Sequence, residues 1–306
     1  MTTPQTIVTP LPRTALPVAA WRDHLELTKP GLSLMSVLTA LAGYFAARPE
    51  LAARPLLALA AGTTCCAGGA AALNQFLETE TDARMRRTRE RPLPAGRLPT
   101  GAAFVLGAGL CFLGLALLFA LVNGPAAACA ALTIVTYLAL YTPAKCTSRW
   151  STEIGAVAGA FPPLIGWTAA EATIAPLGWI LFGVLLLWQI PHFMAIAWLC
   201  RDDYAAAGFP MLAVRDPGGR RVAGYAFTAT LLLAALGLVP AVLGLCTWAY
   251  GAVAAALGGW FTQVAWRFVQ AAKTAAAARR LFLVSILHLP LLLGALVADR
   301  LLFAAP

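Results

Sequence analysis

Apolar residues are gathered into nine long blocks, and nearly every charged residue falls in the gaps between them. A bilayer core takes about 20 residues of helix to cross. The blocks 31–48, 55–77, 102–122, 126–142, 154–170, 177–199, 222–245, 247–267 and 281–303 reach or approach that length. In hydrocarbon each backbone N–H and C=O needs a partner within the protein, so such blocks must be helices. The expected fold class is all-α, a polytopic membrane protein built as a bundle of nine transmembrane helices. The fourth and fifth blocks are short, and Gly258 and Gly259 weaken the eighth. Charged residues make up 11% of the chain, against about 25% in a soluble domain.

The basic residues supply an orientation. Nineteen of the 22 lysines and arginines fall in the N-terminal segment or the even-numbered loops, leaving Arg48, Arg54 and Arg300 on the other side. The positive-inside rule then puts the N-terminus in the cytoplasm and, after nine crossings, the C-terminus outside. The same map accounts for the net charge of +9 without a nucleic-acid partner. Residues 1–24, with four prolines among the first twenty, read as a loose tail, and 25–306 as a single membrane domain. The seven cysteines show neither CxxC nor Cys/His ligand spacing, so no zinc site or disulfide framework is expected. No acid lies in the middle of a block, where a proton-coupled carrier would place one.

The acids gather instead at block ends. Asn74, Glu78 and Asp82 are spaced by four, a step that keeps side chains on one helix face over roughly 12 Å. Arg84, Arg86, Arg87, Arg89, Arg91 and Arg97 follow. An amide and two carboxylates beside a cationic loop suit a divalent metal with a polyanion. They suit a solvated helix end with a topogenic loop equally well. Asp202 and Asp203 end the sixth block in a similar setting, and the charge map puts them on the same membrane face. Hard oxygen donors from both places could hold Mg2+ together with substrate phosphates. Lys145 fits a phosphate partner or a positive-inside residue. His192, after Pro191 in the sixth block, fits a hydrogen-bonded interior residue or a ligand.

Together these stretches resemble the intramembrane prenyltransferase superfamily, and within it the heme O synthase branch. Asn74, Glu78 and Asp82 match the first acidic motif, continued by RTRERPLPAGRL; GAVAGAFPPLIGW, WQIPHF, RDDYAAAGFPML and RRLFLVSILHLPLLL fit the branch, with PPLIGW and PHF separating it from quinone prenyltransferases. The resemblance runs from LELTKP (25–30) to the last block. It implies transfer of a farnesyl group from farnesyl diphosphate to a vinyl group of protoheme IX (heme B), followed by water addition, on the route to heme A. It further implies Mg2+ held by Asn74, Glu78, Asp82, Asp202 and Asp203, with Asn74, Glu78, Asp82 and Asp203 central to catalysis. Arg86, Arg91 and Lys145 would bind diphosphate, with Arg149 joining because Cys146 and Thr147 follow Lys145 where relatives are more basic. His192 would line the porphyrin pocket. The implied setting is the bacterial inner (plasma) membrane with the active site facing the cytoplasm, and association with a heme A-forming enzyme. Adjacent Asp202 and Asp203 depart from the family's spaced pair, and Glu78 replaces an aspartate. The competing readings are a prenyltransferase for an aromatic quinone precursor and a membrane transporter.

Overall fold

A computed structural model describes residues 21–303. The helices are α1 (Trp21–Leu27), α2 (Pro30–Ala47), α3 (Ala53–Leu77), α4 (Thr79–Arg84), α5 (Thr100–Leu121) and α6 (Gly124–Val135). A π-helical segment, Thr136–Tyr141, joins α6 to α7 (Thr142–Thr147). There follow α8 (Ser151–Ala160), α9 (Pro162–Ala170), α10 (Pro176–Leu199), α11 (Arg201–Ala206), α12 (Leu212–Arg215), α13 (Arg220–Val242), α14 (Trp248–Gln270) and α15 (Ala275–Phe303). No strand occurs among the described residues. Seven helical runs are long and apolar enough to cross a membrane: α2, α3, α5, α6 through α7, α10, α13 and α15. The chain is a multi-pass membrane protein.

Three expectations change in detail. The fifth block is two short helices, because Pro162 has no N–H to continue α8 and instead opens α9, where a missing donor costs nothing. The eighth is an unbroken 23-residue helix, α14, which falls outside the seven apolar runs. Of the stretch read as a tail, residues 1–20 lie outside the described residues, whereas Trp21 already begins α1. Arg97 fastens that helix by bonding Asp23 at 2.8 Å and Glu26 at 3.2 Å.

Side-chain size sorts inside from outside. On α5, Ala103, Gly107, Cys111, Gly114 and Leu118 are buried at helical spacing, while Phe104, Val105, Phe112 and Phe119 are exposed. Both faces are apolar, as a lipid-facing helix requires, and the small stripe lets backbones approach. A Cβ built on Gly69 of α3 would stand 2.7 Å from the Gly107 carbonyl oxygen of α5. The contact of α2 with α9 is closer: a Cβ on Gly166 would run into the Ala40 carbonyl, and one on Gly43 into the Pro163 carbonyl. Three large helices, α13, α14 and α15, pack with α10 around a core of bulky side chains including Phe261, Phe268 and Leu233.

The two acidic regions share a local design. Glu78, between α3 and α4, has φ −98°, ψ 6°, and Cys200, between α10 and α11, has φ −107°, ψ 16°. Each spanning helix therefore ends in the same bend and is followed by a six-residue helix carrying acids in its first turn.

Gly166→Val is expected to destabilise the protein by about 1–3 kcal/mol, the usual cost of overpacking. A Cβ on Gly109 would meet nothing within 4 Å, so Gly109→Val should change stability by less than about 0.5 kcal/mol. Thermal unfolding in detergent compares the two; equal melting temperatures would contradict the α2–α9 contact.

Candidate active site

A cavity of about 350 Å³ opens between α2, α3, α6, α8 and α10. That is within the range of small-molecule sites. Most of its wall is apolar, with Cys66, Ala67, Ala70 and Ala71 from α3, Ile134 from α6, and Phe193 and Ile196 from α10. One end is densely polar: Lys29, Asn74, Glu78, Asp82, Arg87, Arg91, Tyr137, Tyr141, Lys145 and Tyr204. A ligand with a charged head and a long hydrocarbon body fits this division.

Asn74, Glu78 and Asp82 all reach the cavity although α3 ends at Leu77. The bend keeps the helical register, since Glu78 N–H donates to the Asn74 carbonyl at 2.9 Å and Asp82 N–H to the Glu78 carbonyl at 2.8 Å. The three side chains therefore stay stacked on one face, as their spacing predicts. All are buried. An ionised carboxylate out of water must be paired, and each one is. Lys145 Nζ donates to Glu78 Oε1 at 2.6 Å, and Arg91 Nη1 to Asp82 Oδ2 at 2.7 Å. Lys145 also lies 4.6 Å from the Tyr141 ring centroid, and Tyr141 stacks on Tyr137.

The orientation of Asn74 follows from its partners. Thr142 Oγ1–H donates to the Tyr137 carbonyl at 2.9 Å, so that oxygen accepts from Asn74 Nδ2 at 3.1 Å. Asn74 Oδ1 is thereby turned to Lys29, whose Nζ donates to it at 3.2 Å. Among the described residues Lys29 alone is a non-glycine with positive φ (45°), a conformation costing roughly 1–2 kcal/mol. It stands directly before Pro30, which opens α2. Burial lowers its ammonium to about pKa 7, Arg91 and Lys145 push the same way, and Glu78 and Asp82 oppose. In the sequence Lys29 is part of the LELTKP stretch but carries no role of its own, and Arg87 is one arginine among six. Arg87 stands 5.2 Å from the Tyr204 ring centroid and donates to the Tyr204 hydroxyl at 3.4 Å. Burial raises the Tyr204 phenol pKa, against the pull of Arg87.

The second acidic region contributes differently from the first. Asp203 is largely buried and accepts from Arg86 Nε at 3.2 Å, so this pair bridges the two regions beside the cavity rather than in its wall. The Asp202 side chain is 79% exposed and faces Arg201 at 3.6 Å. Arg149 is exposed and stacks over Trp150 at 4.8 Å. His192 stands next to cavity-lining Phe193, but its ring turns to α15. Ser285 Oγ–H donates to the Phe282 carbonyl at 2.6 Å, so Oγ accepts from His192 Nδ1–H at 2.8 Å and Nε2 keeps a lone pair. The ring lies between Trp188 and Phe282, with centroids 4.9 and 5.0 Å away.

Among the described residues no three His, Cys, Asp or Glu side chains converge closely enough to hold a metal by themselves. The donor set still fits Mg2+ chemistry: Asn74, Glu78 and Asp82 offer hard oxygens at one cavity end, with Asp203 adjacent. The acids stand apart because each is drawn to its own cation.

With only three lysines in the chain, Lys29 can be followed by NMR of 13C-lysine-labelled protein. One Cε signal is expected to titrate near pH 7, to move to higher pH on adding pyrophosphate, and to vanish in Lys29→Met. Three signals all titrating near the ordinary value of about 10.4 would contradict the burial of Lys29.

The family model for the UbiA prenyltransferase family matches residues 36–287. A protoheme IX farnesyltransferase from Opitutus terrae is 58% identical over 283 residues, covering 92% of this chain and 96% of that protein. Among solved structures, a digeranylgeranylglyceryl phosphate synthase superposes with a TM-score of 0.77 at 17% identity, covering 92% of this chain and 98% of its own. A UbiA homologue from Archaeoglobus fulgidus bound to GPP and Mg2+ gives 0.65 at 12% identity, covering 90% and 99%. At those identities the structures speak for the fold, and the sequence matches carry the kinship: this chain belongs to the UbiA prenyltransferase family.

Proposed function

We propose that this protein transfers a farnesyl group from farnesyl diphosphate to a vinyl group of heme B, giving heme O and diphosphate. The observation that carries this reading is the divided cavity, with six cationic or acidic side chains at one end and small apolar residues along the rest. The likeness to protoheme IX farnesyltransferases over nearly the whole chain supports the choice of acceptor. The prenyl chain lies along Ala67, Ala70, Ala71 and Ile134, out of water. The diphosphate lies among Lys29, Arg87, Arg91 and Lys145, with Arg86 and Arg149 at the solvent side.

Binding is an exchange of partners. The diphosphate draws Lys145 from Glu78 and Arg91 from Asp82, and the released carboxylates, with Asn74 and with Asp203 and Asp202 from the second region, are free for Mg2+. The metal supplies charge neutralisation of the diphosphate leaving group. The C1–O bond breaks to give an allylic cation and diphosphate, and the Tyr137 and Tyr141 rings face positive charge favourably. The terminal vinyl carbon bonds to C1, and the cation left beside the porphyrin ring takes up water and loses a proton, completing a hydroxyethylfarnesyl group. The vinyl edge of the tetrapyrrole faces the α10 wall of Gln189 and Phe193 across the cavity, and His192, its ring turned to α15, stands behind that wall.

Counting α8–α9 and α14 as crossings gives nine, with the N-terminus and active site on the cytoplasmic side of the inner membrane and the C-terminus outside. The concentration of basic residues supports this orientation. A water-soluble partner is unnecessary; a heme A-forming enzyme is the natural recipient of so apolar a product.

Incubating purified protein with farnesyl diphosphate, Mg2+ and either heme B or 4-hydroxybenzoate, followed by product mass spectrometry, tests the acceptor. Heme carrying a hydroxyethylfarnesyl group is expected; a prenylated benzoate as the sole product would overturn the reading. Asp82→Ala is expected to lower kcat at least about 10²-fold, as for loss of a group stabilising transition-state charge, with the protein still folded. Wild-type turnover by this variant at saturating Mg2+ would remove Asp82 from the site.

A further inference from the structure

A second depression adjoins the cavity and has no part in the chemistry above. It is an open groove between α1, the start of α2 and α3, and its polar lining includes Arg22, Glu26, Lys29, Gln75 and Arg91. Lys29, Leu32 and Arg91 line both spaces, so the groove meets the cavity at its charged end. Its basic character is uneven. Arg91 is engaged by Asp82, and Glu26 by Arg97 at 3.2 Å. Arg22 is exposed and forms no salt bridge among the described residues; its guanidinium lies 6.0 Å from the Trp21 ring centroid. The groove's outer edge is apolar: Leu25 and Leu32 line it, and Leu34, Met35 and Leu38 continue an exposed face down α2. An anionic amphiphile in the membrane would meet this groove with its acid groups at the polar boundary and its apolar body towards α2.

On the reading of heme B as acceptor, we infer that this groove is the subsite for the porphyrin carboxylates, with Arg22 as the side chain that recognises them. Protoheme IX carries its two propionates and its two vinyls on opposite halves of the macrocycle. Holding the propionates at the groove therefore points the vinyl half through the shared Lys29–Leu32 wall into the prenyl cavity. Arginine suits the task, since its planar fork pairs with a carboxylate through two parallel hydrogen bonds. The contact would lie outside the diphosphate cluster, so acceptor and donor would each have their own cations. Arg22 acts here in binding and orientation; the reacting atoms are elsewhere.

The test uses full-length protein in phosphatidylcholine nanodiscs and compares binding of heme B with its dimethyl ester, in which both carboxylates are masked. Absorbance titration is expected to show wild type binding heme B about tenfold more tightly, the ordinary worth of a hydrogen bond to a charged group at a partly exposed site. Arg22→Gln should bring the ratio close to one, and Arg22→Lys should restore part of it. Because Arg22 is exposed, an unchanged melting temperature is expected for both variants. Equal binding of heme and ester by wild type, or full discrimination by Arg22→Gln, would overturn the subsite. Repeating the titration in phosphatidylglycerol nanodiscs separates a second source of acid groups: loss of discrimination there would assign the groove to a lipid headgroup instead. Heme O formation by wild type in the same nanodiscs is read alongside. Product without discrimination removes the subsite alone, whereas no product removes the acceptor reading on which it rests.

Discussion

A carboxylate taken out of water needs a counter-charge, and that requirement shapes the polar end of this bundle. Glu78 and Asp82 sit where hydrocarbon-lined walls begin, and each is bound to a cation from another part of the chain. Lys145 arrives from the end of the fourth spanning run, and Arg91 from the loop after α4. Asn74 is locked between Thr142 and Lys29 by the same kind of long-range pairing. Breaking any of these contacts without a substitute would leave a buried charge or amide unsatisfied, at a cost of several kcal/mol for an ion. The helices are thus tied together at the place where a substrate must enter, by bonds that a charged substrate can itself replace.

Much of this was legible in the sequence because membranes impose simple rules. Block length and the one-sided distribution of arginine pointed to the helices, and the four-residue spacing of Asn74, Glu78 and Asp82 pointed to one shared face. That face survives the bend at Glu78 because the backbone bonds carry on through it. What stayed hidden depends on contacts between distant segments. Lys29 looks like any basic residue before a first span; only its strained backbone and its meeting with Asn74, 45 residues on, mark it out. Asp202 and Asp203 are adjacent and so must point in different directions. The fold buries one beside Arg86 and leaves the other in water, a choice that no spacing encodes. His192 likewise depends on Ser285, 93 residues away, for its tautomer.

The lipid-facing helices were legible in length but not in orientation. On α5 both faces are apolar, and what distinguishes them is mainly volume: four of the five buried positions are glycine, alanine or cysteine, with Leu118 the fifth, while Phe104, Val105, Phe112 and Phe119 lie outside. A pattern of polarity cannot report such a difference. The close backbone approaches of α3 with α5 and of α2 with α9 follow from it, and they hold the cavity walls where the polar contacts need them.

The π-helical segment Thr136–Tyr141 has a consequence for how this site tolerates change in chain length. A π turn holds one residue more than an α turn, so the run from Gly124 to Thr147 contains a residue that a regular helix of the same reach would lack. Removing one residue within the π segment would restore a regular helix of almost the same length and leave all that follows in phase, whereas removing one from the α-helical turns before it would rotate all that follows by about 100°. In the second case Lys145 would swing away from Glu78 and Thr142 from Asn74, while the apolar half of the run stayed seated in the bilayer. The helix would still cross the membrane, and the register of the active site would be lost: span and site are written into the same stretch, but with different tolerances.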